Sequence, residues 1–292
     1  MSCPHNIEAF IMVTLYPKDC PVPGCLKTNL VKLSNHLATV HFMSKEERKP
    51  YLQEARLFFK EYKNVNTLES NLVPHQPLNV MEVTLRQPTN IQVCGPTFCG
   101  KSYWTEKLLR NVDEMFSEKI EKIVYCYGEF QPRFLDMERD IHNIQFIEGF
   151  PEDIYSLFNN KAGILVLDDL MNESTSKDSM VNVITRGCHH RNISTLFLVQ
   201  NLFPPGKYSR TISLNTHYIV AFKHPRDSLG VSILARQAFP NATKYVMESY
   251  EDAVQNPYGY LVFDLHPSTS EKIRLRTSIF PDDQQVVYVR RI

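Results

Sequence analysis

Eight consecutive residues carry the clearest chemistry in the chain. Gly95, Pro96, Thr97, Phe98, Cys99, Gly100, Lys101 and Ser102 spell G-x-x-x-x-G-K-S. Two glycines let a backbone turn tightly, so that its N–H groups can surround phosphate oxygens, and the start of the helix that follows adds positive charge. Lys101 is spaced to reach the β- and γ-phosphates of ATP, and Ser102 to place a hydroxyl on Mg2+. A second group lies in Gly163-Ile-Leu-Val-Leu-Asp168-Asp169-Leu170, an apolar run ending in two acids. Asp168 is the candidate metal carboxylate, and Asp169 the candidate for polarising the attacking water. Gln200 follows Ile193 to Val199, a segment that reads as a buried strand, and is placed to orient water or sense the γ-phosphate. Cys99 lies within the positive field of the loop, which predicts a lowered thiol pKa.

A separate set of residues suits a metal. Cys20, Cys25, His36 and His41 give C-x4-C-x10-H-x4-H, and thiolates with imidazoles at such spacing favour tetrahedral Zn2+. A segment this short cannot bury enough core by itself, so the metal would supply its folding energy. The spacing resembles a two-Cys, two-His zinc finger. Its central spacer is about two residues short of the usual twelve, which argues against standard base reading.

These residues need elements to hold them. Asn90 to Cys94 reads as a strand entering the glycine turn, and Lys101 to about Phe116 as a helix with apolar Trp104, Leu108 and Val112 on one side. Four apolar residues before Asp168 fit a strand buried on both faces, as in a parallel sheet. Acids at its carboxyl end stand where ligands bind in open α/β sheets. Lys122 to Tyr127 and Ile144 to Ile147 read as strands, Ser179 to Cys188 as a helix, and Ile193 to Val199 as another buried strand. The extra strand between the two motifs marks the RecA-like branch of phosphate-loop proteins. The expected fold is therefore α/β, a RecA-like P-loop ATPase with a largely parallel central sheet, plus a small amino-terminal zinc finger. The expected division is a zinc-finger segment at 1–45, a helical linker at 46–82 with an amphipathic helix over 46–62, and a P-loop ATPase domain at 83–292.

Composition bounds the rest. The chain has 292 residues, with 32 Lys and Arg balancing 32 Asp and Glu. Zero net charge excludes a globally basic nucleic-acid coat but not a local basic face. Asp113 to Asp178 holds fifteen acids and six bases, whereas Arg186 to Arg236 holds seven bases and one acid. The later stretch suits a polyanion or a triphosphate, or else a solvated face. No apolar run is long enough to span a bilayer, so no membrane partner is expected. The first residues lack the pattern of a secretory signal. The expectation is an intracellular protein, in the cytoplasm or nucleus of a host cell, whose seven cysteines are reduced or metal-bound.

Taken in order, Gly-Pro-Thr-x-x-Gly-Lys-Ser, Val-Tyr-Cys-Tyr-Gly-Glu, Leu-Asp-Asp-Leu-Met, and His-His-Arg-Asn-Ile-Ser with Leu-Val-Gln-Asn-Leu-Phe resemble the viral genome-packaging ATPases of the FtsK–HerA superfamily. The poxvirus-type and polinton-like, adintovirus-like members are the nearest in pattern, over roughly Val83 to Asp264. The resemblance implies an ATP-hydrolysing motor that drives double-stranded DNA into a capsid, a homo-oligomeric ring, and a capsid protein as a further partner. It also implies an arginine acting on the neighbouring subunit's site, for which Arg191 is the match and Arg186 the reserve. Arg210, Lys223, Arg226 and Arg236 would contact DNA phosphates or simply be solvated. Two other functions suit the same residues. One is a helicase or remodelling ATPase of a cell or mobile element. The other is a zinc-finger DNA- or protein-binding module with a nucleotide switch.

Overall fold

The computed structural model describes residues 11–14 and 84–290, apart from 171–181, 188–190, 206–208 and 284. Cys20, Cys25, His36 and His41, the helix expected over 46–62 and the whole of 46–82 lie outside the described residues. So do residues 179–181 and 188 of the stretch read as a helix over 179–188, whose described part includes Val183–Gly187 as one wide π-type turn.

In chain order the elements are β1 (Ile11–Thr14), β2 (Asn90–Cys94), α1 (Lys101–Arg110), α2 (Val112–Met115), β3 (Lys122–Tyr127), α3 (Arg133–Asp140) and β4 (Ile144–Glu148). There follow α4 (Ile154–Phe158), β5 (Gly163–Asp168), β6 (Ile193–Val199), α5 (Ser209–Leu214), β7 (Tyr218–Phe222), α6 (Ser228–Ala238) and α7 (Thr243–Ala253). The chain then runs through β8 (Tyr260–Asp264), β9 (Leu275–Thr277) and β10 (Val286–Val289). All the strands join one sheet in the order β1-β10-β9-β8-β7-β2-β6-β5-β3-β4. From β7 to β4 every pairing is parallel. From β7 to β1 every pairing is antiparallel. The expected parallel sheet is thus the half that carries the motifs, and an antiparallel wing extends it. Ile11–Thr14, within the segment read as a zinc finger, is the edge strand of that wing and pairs with Val286–Val289.

Strand alternation explains the layers. Ile164 and Val166 of β5 face one side, with Trp104 and Leu108 of α1 and Phe134 and Met137 of α3. Leu165 and Leu167 face the other, with Phe158 of α4, Val231 and Leu234 of α6 and Val246 of α7. Helices cover both faces, so β5 and β6 are buried at every position, which is why their sequences are mostly apolar, with Ser194, Thr195 and Asp168 as buried polar exceptions. Burying each such Leu or Val is worth about 1.5–3 kcal/mol. The helix expected to run from Lys101 to Phe116 breaks at Asn111, whose side-chain amide donates to the Lys107 carbonyl at 2.8 Å. Such local bonding competes with the helical ladder. In the antiparallel wing, Arg276 and Asp264 form a fully buried ion pair at 2.6 Å, and Thr269 Oγ1 donates to the same carboxylate at 2.9 Å. Among the described residues no helix is long and apolar enough to cross a membrane.

Candidate functional site

The loop Gly95–Gly100 leaves β2 at the carboxyl edge of the parallel half. The Gly95 N–H donates to Val199 O at 3.2 Å, tying the start of the loop to the end of β6. A Cβ at Gly95 would lie 2.6 Å from Cys99 Sγ and 2.8 Å from Phe222 Cβ, so only glycine fits. Gly100 has φ 108° and begins α1 without a side-chain cap or an acid in the first turn. The first N–H groups of a helix have no partner within it, so this helix start offers an uncompensated positive end to an anion. Lys101 is buried and its Nζ donates to the carbonyls of Gly95 at 2.7 Å and Pro96 at 3.0 Å. The ammonium is thereby held over the loop rather than in open solvent.

Parallel register brings the other residues to the same edge. Cys94 pairs with Val199, and Asp168 pairs with Leu198. The strand that carries the loop and the strand that carries Asp168 are separated only by β6, so about 10 Å lies between them. Gln200, exposed just past the end of β6, stands in the gap. Asp168 is 8% exposed, and burial raises its pKa, with the charge of Asp169 adding to the shift. A hydrogen bond from Tyr125 and the charges of Lys101 and Arg133 act in the opposite direction. The bond runs from Tyr125 Oη to Asp168 Oδ2 at 2.7 Å. Asp169 is exposed and has φ 55°, a left-handed conformation that Asp tolerates better than most residues. Ser102, half-buried in the first turn of α1, belongs to the same edge.

The donor set fits Mg2+, a hard cation that prefers oxygen and keeps several waters. Asp168 and Ser102 supply oxygens only, and a buried carboxylate with a raised pKa beside a second acid gains from a neutralising cation. Among the described residues no cluster of three or more His, Cys, Asp or Glu forms a ready-made metal cage.

One sequence expectation changes at this edge, and two neighbours of Asp168 are new. The Cys99 thiol has its pKa raised, not lowered, because burial outweighs the nearby Lys101 charge. Tyr125 and Arg133 were not anticipated as neighbours of Asp168. The only sequence signal was the alternation that turns Tyr125, like Val166 and Asp168, towards α1. Arg191 stands elsewhere. It precedes β6, at the amino edge of the sheet, and a seven-residue strand puts it about 23 Å from Gln200. There it donates to Asn160 Oδ1 at 3.2 Å and lies over the Tyr155 ring at 5.1 Å. Arg210, Lys223, Arg226 and Arg236 are exposed, with Lys223 and Arg226 just past the carboxyl end of β7.

No family model matches the chain, and no curated protein matches its sequence. Among solved structures it is similar to the genome packaging NTPase B204 from Sulfolobus turreted icosahedral virus 2. In complex with AMPPCP that protein gives a TM-score of 0.44 at 13% identity, covering 65% of this chain and 96% of the other. In complex with AMP the TM-score is 0.41 at 12% identity, covering 61% and 93%. The cytoplasmic domain of the Thermomonospora curvata type VII secretion ATPase EccC gives 0.41 at 13% identity, over 69% of this chain and 25% of that one. Likenesses this distant assign no residue a role, and the reading of the site rests on its own geometry.

Proposed function

We propose that this chain is an ATP-hydrolysing motor that translocates double-stranded DNA and packages the genome of a virus or virus-like element into a capsid. One observation carries the nucleotide half of this reading. The strand β6 lies between β2 and β5, so the glycine loop, Gln200 and the Asp168–Asp169 pair share one edge. In this reading the loop N–H groups and Lys101 bind the triphosphate, and Asp168 and Ser102 hold Mg2+. Bound there, the metal would neutralise charge on the β- and γ-phosphates. Asp169 and Gln200 orient the attacking water. Arg191, distant from its own subunit's loop, acts on a neighbouring copy in a homo-oligomeric ring. The motif order along the sequence supports the packaging half of the reading. Zn2+ on Cys20, Cys25, His36 and His41 belongs to the same proposal, as a tether to DNA or to capsid protein.

The test is Mg2+-dependent ATP hydrolysis with and without double-stranded DNA, over a range of protein concentrations. Turnover should rise with DNA and with protein concentration. Lys101→Ala should lower it about a hundred-fold or more. Normal DNA-stimulated hydrolysis by the Lys101→Ala protein would sink the mechanism. Tight nucleotide binding with no turnover would favour a switch.

A further inference from the structure

Large aromatic rings are costly to leave in water, yet three stand open around the glycine loop, one of them Tyr103 in the first turn of α1, 68% exposed. Phe98, at the tip, is 94% exposed, and Tyr258 is 69% exposed. Tyr258 belongs to the turn between α7 and β8. That turn is tightly specified: Gln255 N–H donates to Asp252 O at 3.2 Å and Gly259 N–H to Asn256 O at 3.1 Å. A Cβ at Gly259 would lie 2.4 Å from Ala253 O and 2.9 Å from Val254 Cα. Tyr258 itself has φ 63°, a conformation that a bulky residue adopts only when its surroundings impose it. The turn delivers the ring to the junction where the loop becomes α1. A Cβ at Gly100 would lie 3.2 Å from Tyr258 Cδ1 and 3.4 Å from Tyr258 Cβ.

We infer that Tyr258 is the platform on which the base of the bound nucleotide stacks, and that this site takes purine nucleoside triphosphates with little choice between adenine and guanine. This rests on reading Gly95–Ser102 as the triphosphate cradle, and it names what lies at the other end of the ligand. With the phosphates on the loop and the start of α1, the nucleoside leaves along the rim where Tyr258 stands. A residue serving only to seal Gly100 would be covered, whereas Tyr258 is exposed. Phe98 shares the rim, but at its exposure nothing fixes the ring from behind. Stacking favours the larger purine face and reads no hydrogen-bond pattern, so it is tolerant of base identity.

Calorimetric titration of the full chain with Mg2+ and ATP, GTP, CTP or inorganic tripolyphosphate tests this. Tripolyphosphate is the probe without a base. The wild-type chain should bind ATP and GTP within a few-fold of each other, and about ten-fold or more tighter than tripolyphosphate. Tyr258→Asn removes the ring while keeping a residue that accepts positive φ. It should bring ATP and GTP to the tripolyphosphate level and leave tripolyphosphate unchanged. Tyr258→Phe should bind like the wild type. Equal wild-type affinity for ATP and tripolyphosphate would overturn the stacking role alone. So would a folded Tyr258→Asn protein with undiminished ATP affinity, or one that loses tripolyphosphate as well. A wild-type chain that binds none of the four probes would instead overturn the phosphate-loop reading beneath it.

Discussion

Replacing Tyr125 with Phe isolates one hydrogen bond at the heart of the site. The Phe ring keeps the packing against Phe134 and Phe146, whose centroids lie 5.3 and 5.2 Å away. What goes is the donor to Asp168 Oδ2. A hydrogen bond to a charged group contributes about 1.5–3 kcal/mol, and a neutral one about 0.5–1.5 kcal/mol. The loss should therefore be larger where Asp168 is ionised. In a domain of this size, about 1.5–3 kcal/mol corresponds to a fall in Tm of roughly 3 to 12 °C. The tyrosine bond lowers the Asp168 pKa against the larger effect of burial, so its removal drives that pKa further up. Urea unfolding at about pH 8 and at about pH 3, below the ordinary carboxylate range, should show the larger destabilisation at the higher pH. The acid limb of Mg2+-dependent hydrolysis should move to higher pH in the variant. An equal loss of stability at both pH values, or an unmoved acid limb, would refute the claim that this hydroxyl supports an ionised Asp168.

Two further outcomes follow from the same chemistry. The folded-state pKa of Asp168 is raised by burial, so its ionisation costs stability as pH rises from the ordinary carboxylate range through the folded value. Asp168→Asn removes that cost and still accepts from Tyr125, so thermal unfolding at neutral pH should show a Tm a few degrees higher while Mg2+-dependent turnover is lost. Burial pushes the Cys94 and Cys126 thiols up to about 12. Cys99 is only half-buried. Brief alkylation of the native chain near pH 8, mapped by mass spectrometry, should therefore label Cys99 and spare Cys94 and Cys126, and ATP should slow the labelling of Cys99.

The sequence by itself determined the strands that carry the motifs. The limits of β2, β3 and β6 agree with the expected runs because strands covered on both faces admit few polar residues, and that signal is local. The glycine turn was equally legible, since Gly95 and Gly100 meet steric demands that no other residue satisfies. Tertiary structure alone decided the rest. The antiparallel wing depends on pairings between distant segments, and its short strands β9 and β10 carry little pattern of their own. The placement of β6 between β2 and β5, which sets Gln200 beside the loop and Asp168, is a property of strand order. Linear spacing does not encode that order. The Cys99 thiol shows the limit most directly: its neighbour Lys101 is visible in the sequence, but the desolvation that outweighs it comes from the surrounding fold. Tyr258 reaches Gly100 across more than half the length of the chain, because β7 and β8 pair and deliver the turn to the loop.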